Sequence, residues 1–209
     1  MPETGKFITI EGGEGVGKTT NIPFIKEFLA AQNINVVMTR EPGGTVLAEK
    51  IRDLLLHNPG ESITDDAELL LVFAARSQHL HHVIKPALAQ GRWVLCDRFT
   101  EATYAYQGGG RALPVSAVNW LENFVQDDLR PDLALLLDVP VEIGMARAKN
   151  RGGQLDRFES ERIEFFERVR RSYLAQAEQH PHRIRLINAA QPLSAVQNDI
   201  INALTPLLP

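Results

Sequence analysis

The chain has 209 residues, 44% hydrophobic and 23% charged, with a formal net charge of −4. That balance suits one α/β domain with a real core, and it excludes the basic footprint of general nucleic-acid binding. No stretch approaches the ~20 apolar residues of a membrane span, residues 1–7 lack a signal-peptide pattern, and the single cysteine, Cys96, cannot close an intramolecular disulfide. A cytoplasmic protein with a buried thiol is expected.

Residues 7–11 (FITIE) form the first predicted strand. Gly12 to Thr19 (GGEGVGKT) follows it and fits G-x-x-x-x-G-K-S/T, the loop whose inward-turned amides cradle phosphates ahead of a helix N-terminus. Lys18 can reach the β- and γ-phosphates, and the Thr19 hydroxyl can ligate Mg²⁺. The expected ATP-binding set here is Gly12, Gly13, Glu14, Gly15, Val16, Gly17, Lys18, Thr19 and Thr20. Ile22, Ile25, Phe28 and Leu29 give the next helix one apolar face, and Pro23 inside it predicts a local bend. A second strand is predicted over 35–40, then a helix carrying Leu47, Ile51, Leu54 and Leu55. A long helix over about 66–90 follows, started by Asp65 with Glu68 three residues on and broken or kinked at Pro86. Strands at 93–97 and 133–138 flank a helix with Val115, Val118, Leu121 and Val125 on one face. A fifth strand at 182–188 precedes a packing helix over 192–209.

Near-continuous apolar runs mean strands buried on both faces. The fold expected is α/β: a five-stranded parallel sheet with helices on both faces, the three-layer arrangement of P-loop NTPases. Residues 1–209 form one domain, with a short mobile lid at about 146–158. The phosphate loop alone names no reaction. A guanine-reading N-K-x-D is absent and the chain is short for a motor, so a small kinase is the economical reading.

A kinase needs an acceptor site, and ligands of open α/β sheets sit at the carboxyl ends of the strands. Residues 39–44 (TREPGG), 97–99 (DRF) and 103–111 (TYAYQGGGR) fall there, with 73–76 (FAAR) on the long helix and 155–159 (LDRFE) later. With the phosphate loop, these segments in this order resemble the bacterial thymidylate kinase family, from Phe7 past Pro192. The resemblance implies transfer of the ATP γ-phosphate to dTMP, giving dTDP, with Mg²⁺, in a homodimer packed through helices.

Residue by residue, the resemblance assigns Arg98 to the acceptor phosphate and Asp97 to Mg²⁺ or its waters, and it sets Glu14 near the sugar and metal. Thr103 and Gln107 line the thymine end, Tyr106 crowds the sugar 2′ position, and Arg76 hydrogen-bonds the base. Arg40 falls in the loop that holds the acceptor phosphate, with a structural role as its alternative. Many relatives place a stacking phenylalanine four residues before the base-binding arginine. Here Val72 stands there and Phe73 is three before, a rotation of about 100° on a helix. Phe73 is expected to stack on thymine, through a rewound helix or a shifted angle, unless it belongs to the core.

Arg147, Lys149, Arg151 and Arg157 cluster around Gly152 and Gly153. The phosphate loop carries no arginine of its own, so this segment is the expected source of transition-state charge. The resemblance makes Arg151 the catalytic arginine and sets Arg147 against adenine; Arg157 would serve the phosphate or lid closure. The acceptor is an ionised phosphate monoester, so no general base is needed. The alternatives are a kinase for another nucleotide or nucleoside, and a regulatory P-loop module. His79, His81 and His82 read as a polar helix surface, and Asp127 and Asp128 as a solvated helix end.

Overall fold

A computed structural model describes residues 5–57, 60–150, 157–159 and 161–209. Arg151 and the centre of the expected lid lie outside the described residues. Five strands, β1 (Phe7–Glu11), β2 (Val36–Arg40), β3 (Trp93–Asp97), β4 (Leu133–Asp138) and β5 (Ile184–Asn188), form one sheet in the order β2-β3-β1-β4-β5. Every pairing is parallel. The expected three-layer architecture is therefore observed, with strand boundaries one or two residues tighter at the starts of β2 and β5.

The period-2 geometry of strands sorts the core into two layers. Leu133, Leu135 and Leu137 of β4 join Ile8, Ile10 and Leu95 against α1 (Lys18–Ala31) and α9 (Leu193–Leu204), which contribute Ile25, Leu29, Val196 and Ile200. On the other face Ala134 and Leu136 meet Phe165, Phe166, Val169 and Tyr173 of α8 (Ile163–Gln179). Each fully buried Leu, Ile or Phe contributes roughly 1.5–3 kcal/mol. Burial on both sides is what wrote the unbroken apolar runs into the sequence.

α2 (Val46–His57) and α3 (Asp65–His79) pack together through Ala48, Ile51, Leu55, Val72 and Ala75. Leu47 and Leu54, expected on that face, are half exposed. α6 (Val115–Gln126) leans on α3 through Val118, Leu69 and Phe73. α7 (Val141–Asn150) follows β4.

Two helical expectations change. The helix over 66–90 is three pieces: α3, a π-helical turn Leu80–Ile84, and α4 (Lys85–Ala89) with Pro86 in its first turn. The widened turn precedes the proline, whose ring tolerates a first-turn position but clashes with the carbonyl four residues back in a continuous helix. The cap of α3 is Thr64, which accepts from Ala67 N, and Glu68 turns inward instead of capping. α1 runs unbroken through Pro23. A second π-helical segment, Tyr104–Gly110, continues α5 (Thr100–Thr103).

Candidate active site

The carboxyl ends of β1, β2 and β3 open into one cleft of about 640 Å³, ample for small-molecule ligands. Glu14 through Thr20 line one end. The loop is pressed against α7: a Cβ on Gly15, at φ +67°, would stand 1.9 Å from Gly144 O, and one on Gly144 would stand 2.4 Å from Glu14 O. Only glycines permit that backbone-to-backbone contact. Lys18 rests on the loop's back, its Nζ donating to Gly12 O and Gly13 O at 3.1 Å each. Burial, and then the nearby Arg98 charge, lowers its pKa to about 8. Thr19 and Thr20 are exposed at the cleft wall.

Between the two ends sit Asp97 and Arg98. Arg98 takes a left-handed conformation, φ +67°, fixed on both sides: its own N–H donates to Ile10 O at 3.0 Å, and Phe99 N donates to Glu11 Oε1 at 2.7 Å. Glu11 is fully buried and also accepts from Tyr173 OH at 3.1 Å. Burial, with Glu101 nearby, raises its pKa to about 8. The Arg98 guanidinium donates to Glu14 Oε1 at 2.5 Å and lies 4.7 Å from the Tyr106 ring, whose hydroxyl donates to the same oxygen at 2.9 Å. Asp97 Oδ1 and Arg98 Nη1 are buried without a hydrogen-bond partner.

The far end is built around Arg76, which is 1% exposed. Its guanidinium lies between the rings of Phe73 and Phe99, 4.8 Å from each centroid. Nε donates to Glu41 Oε2 at 2.7 Å and Nη2 to Thr103 Oγ1 at 3.0 Å, while Nη1 is buried without a partner. Glu41 also takes His79 Nδ1 at 2.9 Å, and His79 Nε2 lies 2.6 Å from Thr39 Oγ1. His79 is therefore interior, not part of a polar helix surface; a carboxylate and a hydroxyl satisfy its two nitrogens. His81 and His82 are exposed, as are Asp127 and Asp128. No group of three or more metal-ligating side chains occurs among the described residues.

Among the described residues Glu14, Lys18, Thr19, Thr20, Arg76, Asp97, Arg98, Thr103, Tyr106, Gln107 and Arg147 all line the cleft. Arg147 donates to Ala189 O at 3.0 Å at the phosphate-loop end. Gly12 and Gly13 lie behind the cleft, where their carbonyls accept from Lys18, and three side-chain candidates stand elsewhere. Phe73 is 2% exposed, packed with Leu69 and Val118 behind Arg76, and Val72 lines the cleft instead. The helix is not rewound there, so the 100° offset puts the ring in the core. Arg40 points outward to Glu49 Oε2 at 2.8 Å, while Arg52, which donates to Pro42 O at 3.0 Å, lines the cleft. Arg157 is drawn to Leu55 O and to Glu68. Glu11, Glu41, Arg52 and Glu68 are not among the residues that the sequence singles out for the site; Glu68 reads there as part of a helix start, and an isolated acid or base on a helix or strand end carries no signal of its own.

A phosphate cradle and a second basic end facing each other across one cleft, on this sheet order, define the class: a P-loop kinase. The thymidylate kinase family model matches residues 10–200. The chain is 60% identical to the thymidylate kinase of Pseudomonas entomophila (strain L48) over 203 residues, 97% of this chain and 96% of that one. It is 56% identical to the thymidylate kinase of Teredinibacter turnerae over 205 residues, 98% of this chain and 100% of that one. The crystal structure of thymidylate kinase from Ehrlichia chaffeensis superposes with a TM-score of 0.78 at 35% identity, covering 97% and 99% of the two chains. This chain belongs to the thymidylate kinase family.

Proposed function

We propose that the chain transfers the γ-phosphate of ATP to dTMP, giving dTDP and ADP, a step toward dTTP. The observation that supports this is one cleft lined both by Lys18 with the phosphate loop and by Arg76, Thr103 and Gln107. The loop amides and Lys18 hold the ATP phosphates, and Arg147 lies along the adenine. Arg98 takes the acceptor phosphate through its unpartnered Nη1, and Arg52 lines the same end. Glu14 and Tyr106 fix Arg98 and shape the sugar site. Phe73 serves the base at one remove, as one of the two rings that orient Arg76.

Thr19 and Asp97 would hold Mg²⁺: a hydroxyl and a carboxylate oxygen without a partner suit a hard cation that prefers oxygen. When bound, the ion neutralises charge on the triphosphate. The acceptor phosphate is already ionised, so the protein's work is to align two anions and offset their repulsion. Arg151 supplies the further cation on the transferring group. No helix among the described residues is long and apolar enough to cross a membrane. A cytoplasmic location suits the buried Cys96 thiol, whose pKa burial raises. A homodimer is supported by α6, where Trp120 and Phe124 stack in the open at 63% and 72% exposure.

An ADP-release assay over dTMP, dUMP, dCMP, dGMP and thymidine tests the reading; dTMP should be turned over fastest, and no turnover above background refutes it. Arg151→Ala should lower kcat by about 10²–10³-fold with the KM for ATP little changed. An unchanged kcat with a raised KM would remove Arg151 from catalysis.

A further inference from the structure

We propose that Glu68 fixes which way round the Gln107 amide is held, and thereby makes the cleft select a pyrimidine that carries a ring N–H. This rests on the reading of Gln107 as part of the base-binding end. Glu68 sits fully buried on α3. It accepts from Gln107 Nε2 at 2.7 Å, from Arg111 Nε at 3.2 Å and 3.3 Å, and from Arg157 Nη2 at 2.5 Å. A carboxylate shared by two guanidinium groups only accepts hydrogen bonds. A primary amide has two opposite ends, and against such a partner only its NH₂ end fits. The Gln107 NH₂ is thereby committed to Glu68. Gln107 lines the cleft, so the end left for a ligand is Oε1, an acceptor.

Arg76 supplies the opposite polarity. Two of its nitrogens are engaged by Glu41 and Thr103, and Nη1 remains a donor without a partner. Thr103, which accepts from Arg76, lies four residues before Gln107, across one wide turn of the same helical segment, and all three line the cleft. A donor beside an acceptor matches a base edge that presents a keto oxygen beside a ring N–H, as thymine and uracil do. Cytosine presents the reverse, an amino group beside a bare ring nitrogen, and would leave both protein groups facing their own kind. Sites built on hydrogen bonds reject such mismatches far more strongly than apolar pockets reject a methyl group. The pair does not read the 5-methyl group, so dTMP and dUMP should respond alike when it is disturbed.

The test measures kcat/KM for dTMP and dUMP, and the inhibition constant of dCMP against dTMP, in wild type, Glu68→Gln, Glu68→Asp and Gln107→Met. Glu68→Gln offers Gln107 a partner that accepts or donates, so the amide can turn. The preference for dTMP over dCMP should fall at least tenfold, while the ratio of dTMP to dUMP stays within about twofold. Glu68→Asp keeps the charge that Arg111 and Arg157 share but draws it back one methylene, and should shift the preference in the same direction by less. It also carries the test if Glu68→Gln fails to fold, as judged by thermal melting. An unchanged preference in a folded Glu68 variant, or an equal loss on all three nucleotides, overturns the proposal. Gln107→Met separates the two readings. If it leaves the preference intact, Gln107 does not read the base; if it moves the preference while the Glu68 variants do not, only the role of Glu68 falls.

Discussion

Lys18 waits in the cleft with its charge weakened. Its folded pKa of about 8 lies below the ordinary 10.5, chiefly through burial. The unfolded chain therefore binds more protons between those values, and the stability this lysine costs is greatest below pH 8 and disappears as pH rises toward 10.5. A triphosphate settling on the loop restores the case for the charged form. Nucleotide binding near pH 8 should therefore draw in a proton, about half an equivalent where pH matches the pKa. Calorimetry in buffers of different ionisation enthalpy reads this directly, and a binding heat independent of buffer would contradict it. The network around Glu41 is of another kind. Arg76 and His79 share a carboxylate that is itself 5% exposed, so loss of any member strands a buried polar group rather than merely removing a bond.

At the scale of elements, the phosphate loop touches α7 backbone to backbone. In most helices Gly→Ala gains about 1 kcal/mol. At Gly144 the added carbon would stand 2.4 Å from Glu14 O, so α7 must move off the loop. Gly144→Ala should therefore destabilise the protein by about 1–3 kcal/mol, the cost typical of overpacking, and raise the KM for ATP because Arg147 rides on the same helix. Thermal melting with and without ATP checks both; a more stable variant with unaltered KM would show the contact to be slack. At this scale the sequence was readable where one periodicity decides the outcome. All five strands were legible because two-sided burial leaves apolar runs. The π-helical turns were not, since the same residues suit an α-helix and the wider turn is set by what packs around it. For the same reason Val72 and Phe73 could not be told apart by spacing alone, and the roles of Glu68, Glu41 and His79 were hidden because their side-chain partners are 35 to 89 residues away in sequence.

For the whole molecule, α6 buries Val118 but leaves Trp120 and Phe124 exposed. Val115 is 63% exposed, and Leu70 of α3 is 58% exposed. If two copies meet there, Phe124→Glu should convert a dimer to a monomer in light scattering while leaving the fold intact, because the side chain has no role in either core layer. A wild-type protein that is monomeric at micromolar concentration would rule the dimer out.

The sheet order carries a consequence for how the protein is made. β1 comes first in the chain but lies in the middle of the sheet, between β3 and β4. Its two neighbours end at Asp97 and Asp138, and the glycine that closes on the phosphate loop is Gly144. A chain emerging from the ribosome therefore carries the whole loop sequence long before both neighbouring strands can brace it. Such non-local pairing is slow to form. Until Gly144 has been synthesised, the nascent protein has the letters of a phosphate loop without the strand and the glycine that brace it.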